Sequence, residues 1–198
     1  MIQPTRRDML VALACLALGT RSAAAPTRYA LDRAASTVGF RFILNGVSQT
    51  GSMPVQRADI FIDPANLAAS RVDVTLDVAG ARTPLGFATQ ALLSPEVLDA
   101  ARFPTIRFVS KTILLSRDGR LSGGARIRGH LTLRGVTRPI TLNAGLYRPR
   151  GTRADDLDIL TVRLSGQLSR TAYGAAGYPR LVGDRVTLDI TALIRVAG

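Results

Sequence analysis

Apolar and polar positions alternate with period two along most of this chain, and the rhythm is sharpest from Gly129 to Leu142. Leu131 and Leu133 share one parity before a corner, and Ile140 and Leu142 share one after it. His130, Thr132, Arg134, Thr141 and Asn143 occupy the opposite parity. Successive side chains of a strand leave opposite faces of a sheet, so this pattern predicts two half-buried antiparallel strands. The corner between them is expected at the Gly-Val-Thr-Arg-Pro run, 135–139.

The same alternation recurs from Tyr29 to Val196. Tyr29–Asp32 opens the series, and Val38, Phe40, Phe42 and Leu44 share a face up to Asn45-Gly46, a hairpin dipeptide whose residues tolerate positive φ. Asp59–Ile62 follows, then Val72, Val74, Leu76 and Val78, then Ile106 and Phe108. After the central pair come Leu160, Val162, Leu164 and Leu168, and finally Val186, Leu188 and Ile190. About eight or nine strands with turn signals between them predict an all-β barrel or sandwich, most simply one closed sheet with a single apolar face. No repeat or long linker divides residues 26–198, so one domain is expected, spanning 25–198.

One stretch breaks the rhythm. Between Pro84 and Ala101 the apolar residues Leu85, Phe87, Leu92, Leu93, Val97 and Leu98 are spaced more nearly as in a helix. Ser94-Pro95-Glu96 reads as a helix restart, with Ser94 as N-cap and Pro95 in the first helical position. The apolar face of such an excursion must meet either the core or something held within it.

Residues 1–24 read as an export signal. Arg6 and Arg7 form a twin-arginine pair, an apolar run from Met9 to Leu18 follows, and Ser22-Ala23-Ala24 supplies small residues for cleavage after Ala24. The segment is too short to span a bilayer, although an uncleaved anchor and a lipid-modified Cys15 are the competing readings. The expected location is the periplasm. Cys15 is the sole cysteine and falls in the leader, so the remaining residues, about 170, must be stabilised by burial without disulfides.

The formal net charge is +12, and Lys111 is the lone lysine among 26 cations. Nucleic acid is the first partner such a balance suggests. The arginines are instead dispersed one per strand, as at Arg41, Arg71, Arg107, Arg126, Arg128 and Arg163, with few aromatics among them. That distribution reads as a basic outer wall able to make transient contact with an anionic membrane surface, and it excludes nucleic acid as the expected partner.

Reactive chemistry is sparse. His130 is the only histidine, on the outward parity of its strand, so neither a metal site of the usual nitrogen and sulfur ligands nor a catalytic triad is expected. Asp155, Asp156 and Asp158 lack a coordinating loop spacing and read as a solvated turn. No cofactor is expected.

Several stretches resemble the YceI-like family of periplasmic polyisoprenoid-binding proteins. They are Tyr29-Ala-Leu-Asp with Ser36-Thr-Val-Gly-Phe40, Leu93-Ser-Pro-Glu through Phe108, Gly129–Leu142, Gly166-Gln-Leu-Ser-Arg-Thr-Ala-Tyr-Gly174, and Leu181–Leu188. The resemblance implies a lipocalin-like, extended antiparallel barrel with a helical segment and an isoprenoid chain, such as a quinone or polyprenyl lipid, in its lumen. The family's usual histidines are replaced here at Ala35 and Asn45, and its Arg-Asp-x-His-Leu stretch by Ala88-Thr-Gln-Ala-Leu92. Several polar groups expected near the cavity are therefore absent.

The apolar stripe remains as the candidate site. With no tryptophan on the inward parity, the aliphatic lining can leave unfilled volume. Cavity lining is expected from Phe40, Phe42, Val72, Val74, Leu76, Phe87, Leu92, Phe108, Leu131 and Leu133. Arg170 and Tyr173 could meet a headgroup or could cap a barrel end. Each buried CH₂ contributes about 0.8 kcal/mol, so a few isoprene units approach the practical ceiling of roughly 20 kcal/mol for non-covalent binding. The expected function is a carrier that sequesters an isoprenoid-type lipid without making or breaking bonds. An envelope stress or membrane-docking protein without cargo, and an enzyme acting on a lipid or quinone, are the rivals.

Overall fold

The computed structural model describes residues 26–63, 66–115, 123–153 and 156–197; the expected leader, Cys15 and Asp155 lie outside them. Nine strands form one antiparallel sheet: β1 (Thr27–Leu44), β2 (Val47–Met53), β3 (Val55–Ile62), β4 (Arg71–Asp77), β5 (Thr105–Leu115), β6 (Ala125–Leu133), β7 (Val136–Tyr147), β8 (Ile159–Ser169) and β9 (Arg185–Val196). From β3 to β9 each neighbour in space is a neighbour in sequence, β1 stands between β2 and β3, and β9 pairs back onto β1. The sheet thus closes on itself through β1 and β9, the device by which barrels limit exposed strand edges.

β2 and β3 act as one stave of the barrel. Pro54 separates them, and both face β1, whose Tyr29 pairs with Ile60 and whose Phe40 pairs with Gly51. Counted this way the barrel has eight staves, as the sequence pattern implies. β1 itself is a single 18-residue strand instead of the two separate strands expected. Its register against β9 shifts between Asp32 and Thr37. That bulge changes which parity faces inward, from Tyr29 and Leu31 to Ser36, Val38, Phe40 and Phe42, so the sequence looks interrupted where the backbone is continuous. Ser36 holds the irregularity, donating to the Asp32 carbonyl at 2.5 Å and accepting from the Leu193 N–H at 2.9 Å.

The corner after β6 is tighter than expected. Only Arg134 and Gly135 form it, at φ 50° and 73°, matching Asn45 and Gly46 at 49° and 79° after β1. Two residues of positive φ match the right-handed twist of the flanking strands. Pro139 therefore belongs to β7. It is tolerated because β7 pairs with β8 only from Asn143 to Tyr147, leaving the Pro139 edge free of ladder bonds on that side.

The helical excursion is also shorter than expected. α1 (Gly86–Leu93) is followed by a single turn, and Ser94 ends α1 instead of starting a second helix. Its hydroxyl donates back to the Ala91 carbonyl at 2.8 Å. Pro95 holds Ser94 extended, and Asp99 at φ 52° stops the next turn before it propagates.

Both long connections lie at one end of the barrel. The segment 78–104, containing α1, joins β4 to β5; the segment 170–184 joins β8 to β9. The hairpins at Asn45-Gly46 and Arg134-Gly135 belong to the same end. The opposite end is narrowed by a separate apolar cluster of Tyr29, Ile60, Leu160 and Ile194.

Candidate functional site

Inward-facing side chains of all nine strands surround one cavity of about 590 Å³ that runs most of the length of the barrel. This volume falls within the range of pockets that enclose a small organic ligand. Its walls are Val, Leu, Ile, Ala and Phe almost throughout; Ser36, Thr191 and Arg170 are the polar exceptions along with the tyrosines. All ten residues expected to line a cavity do face this one, from Phe40 and Phe42 on β1 to Leu131 and Leu133 on β6, with Phe87 and Leu92 contributed by α1.

Aromatic rings lie against the wall because glycines stand opposite them. Phe40 pairs with Gly51, and its ring fills the space a side chain there would take. The Phe108 ring does the same over Gly129. Phe42 extends the first of these plates, its ring centroid 6.1 Å from that of Phe40. Large residues thereby cover wall area without crossing the lumen, an arrangement also used to rescue glycines in curved sheets.

At the floor, Tyr29 is buried and donates its hydroxyl to the Leu157 carbonyl at 2.9 Å. Burial raises its pKa, so it stays a neutral donor across the physiological range. The lumen meets solvent at the other end, where Phe87, Tyr178 and Leu181 both line it and stand exposed.

Arg170 sits just inside that opening with every nitrogen of its guanidinium engaged. Nε donates to Gly183 at 3.0 Å, Nη1 to Ala175 and Gly177 at 2.5 and 2.7 Å, and Nη2 to Val182 at 2.8 Å, all backbone carbonyls. Burial pushes its pKa down, only partly offset by Asp184. Of the two roles open to Arg170 in the sequence, the geometry provides the cap: one buried side chain holds the 170–184 connection in shape. Tyr173 does not line the cavity. It is buried in the main core beside the splayed end of β7 and β8, where Arg138 donates to the Ala172 carbonyl at 2.7 Å.

His130 is on the outer face, and so are Arg41, Arg71, Arg107, Arg126, Arg128 and Arg163. Asp156 accepts the Asp158 N–H at 3.0 Å in a local turn. Among the described residues no acid–base pair lines the lumen. Further lining residues beyond the ten expected include strand residues, those of β3, β7, β8 and β9 among them, and Tyr178, Leu181 and Val182 of the 170–184 connection. Strand parity makes the strand residues legible; those of the connection lie in a loop with no period to read.

The YceI-like domain model matches residues 29–193, the whole of the barrel but the first two residues of β1 and the last three of β9. The chain belongs to the YceI-like family. A UPF0312 protein of Enterobacter sp. (strain 638) is 33% identical over 188 residues, spanning 93% of this chain and 88% of its own. The protein named YceI of Salmonella newport is 31% identical over 137 residues, 68% of this chain and 69% of its own. Among solved structures, Burkholderia cenocepacia BcnA superposes with a TM-score of 0.70 at 20% identity, covering 83% of this chain and 99% of that one. A polyisoprenoid binding domain from Saccharophagus degradans superposes with a TM-score of 0.59 at 15% identity, covering 86% and 99%. These structures share the YceI-like barrel with the chain.

Proposed function

We propose that this YceI-like protein is a binding and carrier protein that sequesters an isoprenoid-type lipid, a polyprenyl or quinone tail, inside the barrel. One observation carries the reading: an elongated cavity of about 590 Å³ whose lining is apolar along nearly its full length. Such a sleeve suits a branched hydrocarbon chain, because the hydrophobic effect acts in proportion to the apolar area withdrawn from water and demands no precise polar match. The polyisoprenoid-binding description of the Saccharophagus degradans domain supports the same ligand class. The mechanism is sequestration, with no bond made or broken. The twin-arginine leader supports delivery to the periplasm, where a lipid tail needs an escort, and the basic outer wall supports transient contact with anionic membrane.

The test is organic extraction and mass spectrometry of the chain purified from its native host. An isoprenoid lipid in near-stoichiometric amount is the expected result. Protein that carries no apolar molecule and takes up none of a purified quinone overturns the carrier reading.

A further inference from the structure

Large apolar side chains are exposed unevenly on this barrel. Of the eight such residues among the described ones, five, Ile43, Val47, Phe87, Tyr178 and Leu181, stand at the end where the lumen opens. They belong to three separate elements brought together by the fold. Ile43 and Val47 flank the β1–β2 hairpin, Phe87 opens α1, and Tyr178 and Leu181 lie in the 170–184 connection. Backbone bonds tie two of these pieces together: the Asn45 N–H donates to the Leu181 carbonyl at 2.7 Å, and the Gly183 N–H to that of Ile43 at 2.9 Å. The α1 side is joined through the Gly177 N–H, which donates to the Glu96 carbonyl at 2.8 Å.

We infer that this rim is a membrane-docking surface, which sets the mouth of the barrel against an anionic phospholipid bilayer so that cargo passes between bilayer and lumen without crossing water. The inference rests on the carrier reading above and specifies where it happens. Two observations favour a bilayer over other occupants. First, the rim is continuous with the lumen: Phe87, Tyr178 and Leu181 are 64%, 41% and 50% exposed and also line the cavity. A partner protein seated there would stopper the opening, whereas lipid tails extend the apolar path. Second, the mixture of residues is interfacial. Arg180 is exposed, lies between Tyr178 and Leu181 in the chain, and has no carboxylate partner among the described residues. Two acidic groups of the same end are exposed but already engaged by neighbouring hydroxyls, Asp184 by Thr171 at 2.6 Å and Glu96 by Ser94. Aromatic rings at headgroup depth with a cation among anionic lipids form the usual composition of a shallow membrane anchor. The arginine-rich wall alone would dock the barrel on its side and leave the mouth in water.

Vesicle co-sedimentation with the intact chain tests this, using phosphatidylethanolamine–phosphatidylglycerol vesicles, with Nile red uptake and melting temperature read on the same samples. The paired substitution I43S with V47S removes two exposed rim side chains that do not line the cavity, and it is expected to weaken vesicle binding by about tenfold or more. Nile red uptake and melting are expected to stay as in the parent. R126Q with R128Q, on the outer wall, is expected to change vesicle binding little. Vesicle binding unchanged by the rim pair, or lost equally with the wall pair, overturns the inference, as does a dimer that covers the rim and binds no vesicles. Failure of the parent chain to take up Nile red overturns the carrier reading separately, whatever the vesicles do.

Discussion

Phe40 and Gly51 are directly paired across β1 and β2, and a Cβ on Gly51 would lie 2.3 Å from Cζ and 2.6 Å from Cε2 of the ring. The glycine is what allows the ring to lie on the wall. G51A forces the ring to turn into the lumen, because the Arg82 carbonyl stands 3.0 Å away on another side. The expected cost is that of mild overpacking, about 1–3 kcal/mol, seen as a melting temperature lower by roughly 2–4 °C per kcal/mol. Nile red uptake should fall at the same time. G129A is expected to be worse, since its Cβ would meet the Val109 carbonyl oxygen at 2.5 Å as well as the Phe108 ring, and backbone cannot rotate aside. Equal stability of G51A and the parent, with unchanged uptake, would show that the ring is not wall-bound.

Arg170 offers a sharper discrimination, between holding the chain and holding a headgroup. R170K retains a cation but replaces a planar fork reaching four carbonyls with a single ammonium of three donors. Buried carbonyls left without a donor cost about 1–3 kcal/mol each, so a loss of about 3 kcal/mol or more is expected in denaturant unfolding. Amide exchange should accelerate through 170–184 and not through β3–β6. A variant with parental stability and specifically weakened ligand binding would assign Arg170 to the headgroup instead.

How far the sequence discloses this molecule depends on where period two holds. β4, β6, β8 and β9 alternate cleanly, and their inward residues, Val74 or Leu131 for example, could be named without coordinates. The barrel's irregularities are where residue order misleads. The bulge at Asp32–Thr37 reverses parity inside one strand, so β1 reads as two. A second shift, between Ser110 and Thr112, does the same in β5 and moves the inward position from Phe108 to Ile113. Ser94-Pro95 carries the residues of a helix start, yet the same hydroxyl can bond backwards as easily as forwards, and here it closes α1. The rim was illegible for another reason. Ile43, Phe87 and Leu181 are far apart in sequence, and only closure of the barrel makes them neighbours.

Acid should weaken the outer wall through its paired carboxylates. Asp73 receives Nε of Arg107 at 2.9 Å and its Nη2 at 2.5 Å, a bidentate pair across β4 and β5. Arg107 holds the Asp73 carboxyl below its ordinary value, and hydrogen bonds from Thr171 do the same for Asp184. A carboxyl depressed in the folded chain stabilises it fully above the unfolded pKa of about 4, and that contribution fades as pH falls through the folded value. Stability is therefore expected to be flat near neutrality and to decline below about pH 4. The pairs are largely exposed, so the decline is expected to be shallow and smaller still in high salt. Melting curves of D73N across this range should show a flatter acid limb than the parent; an identical limb would remove Asp73 from the account.

A tryptophan placed in the lumen would decide whether the cavity is space or packing. The chain has none of its own, so a single substitution is also a unique fluorophore. Leu164 on β8 lines the cavity opposite Ile190 of β9 and Ala144 of β7. In a close-packed core, L164W would be overpacked and would lose about 1–3 kcal/mol. In a lumen of about 590 Å³ the added ring atoms occupy empty volume and gain contacts, so stability should be unchanged or slightly raised. Emission should be blue-shifted from the outset, because the ring sits among Val, Leu and Ile away from water. A quinone whose tail enters the barrel should quench that emission in a saturable way, and the fatter side chain should lower the amount of Nile red taken up. A strongly destabilised L164W would mean that the interior is already full, and a lipid would then have nowhere to go.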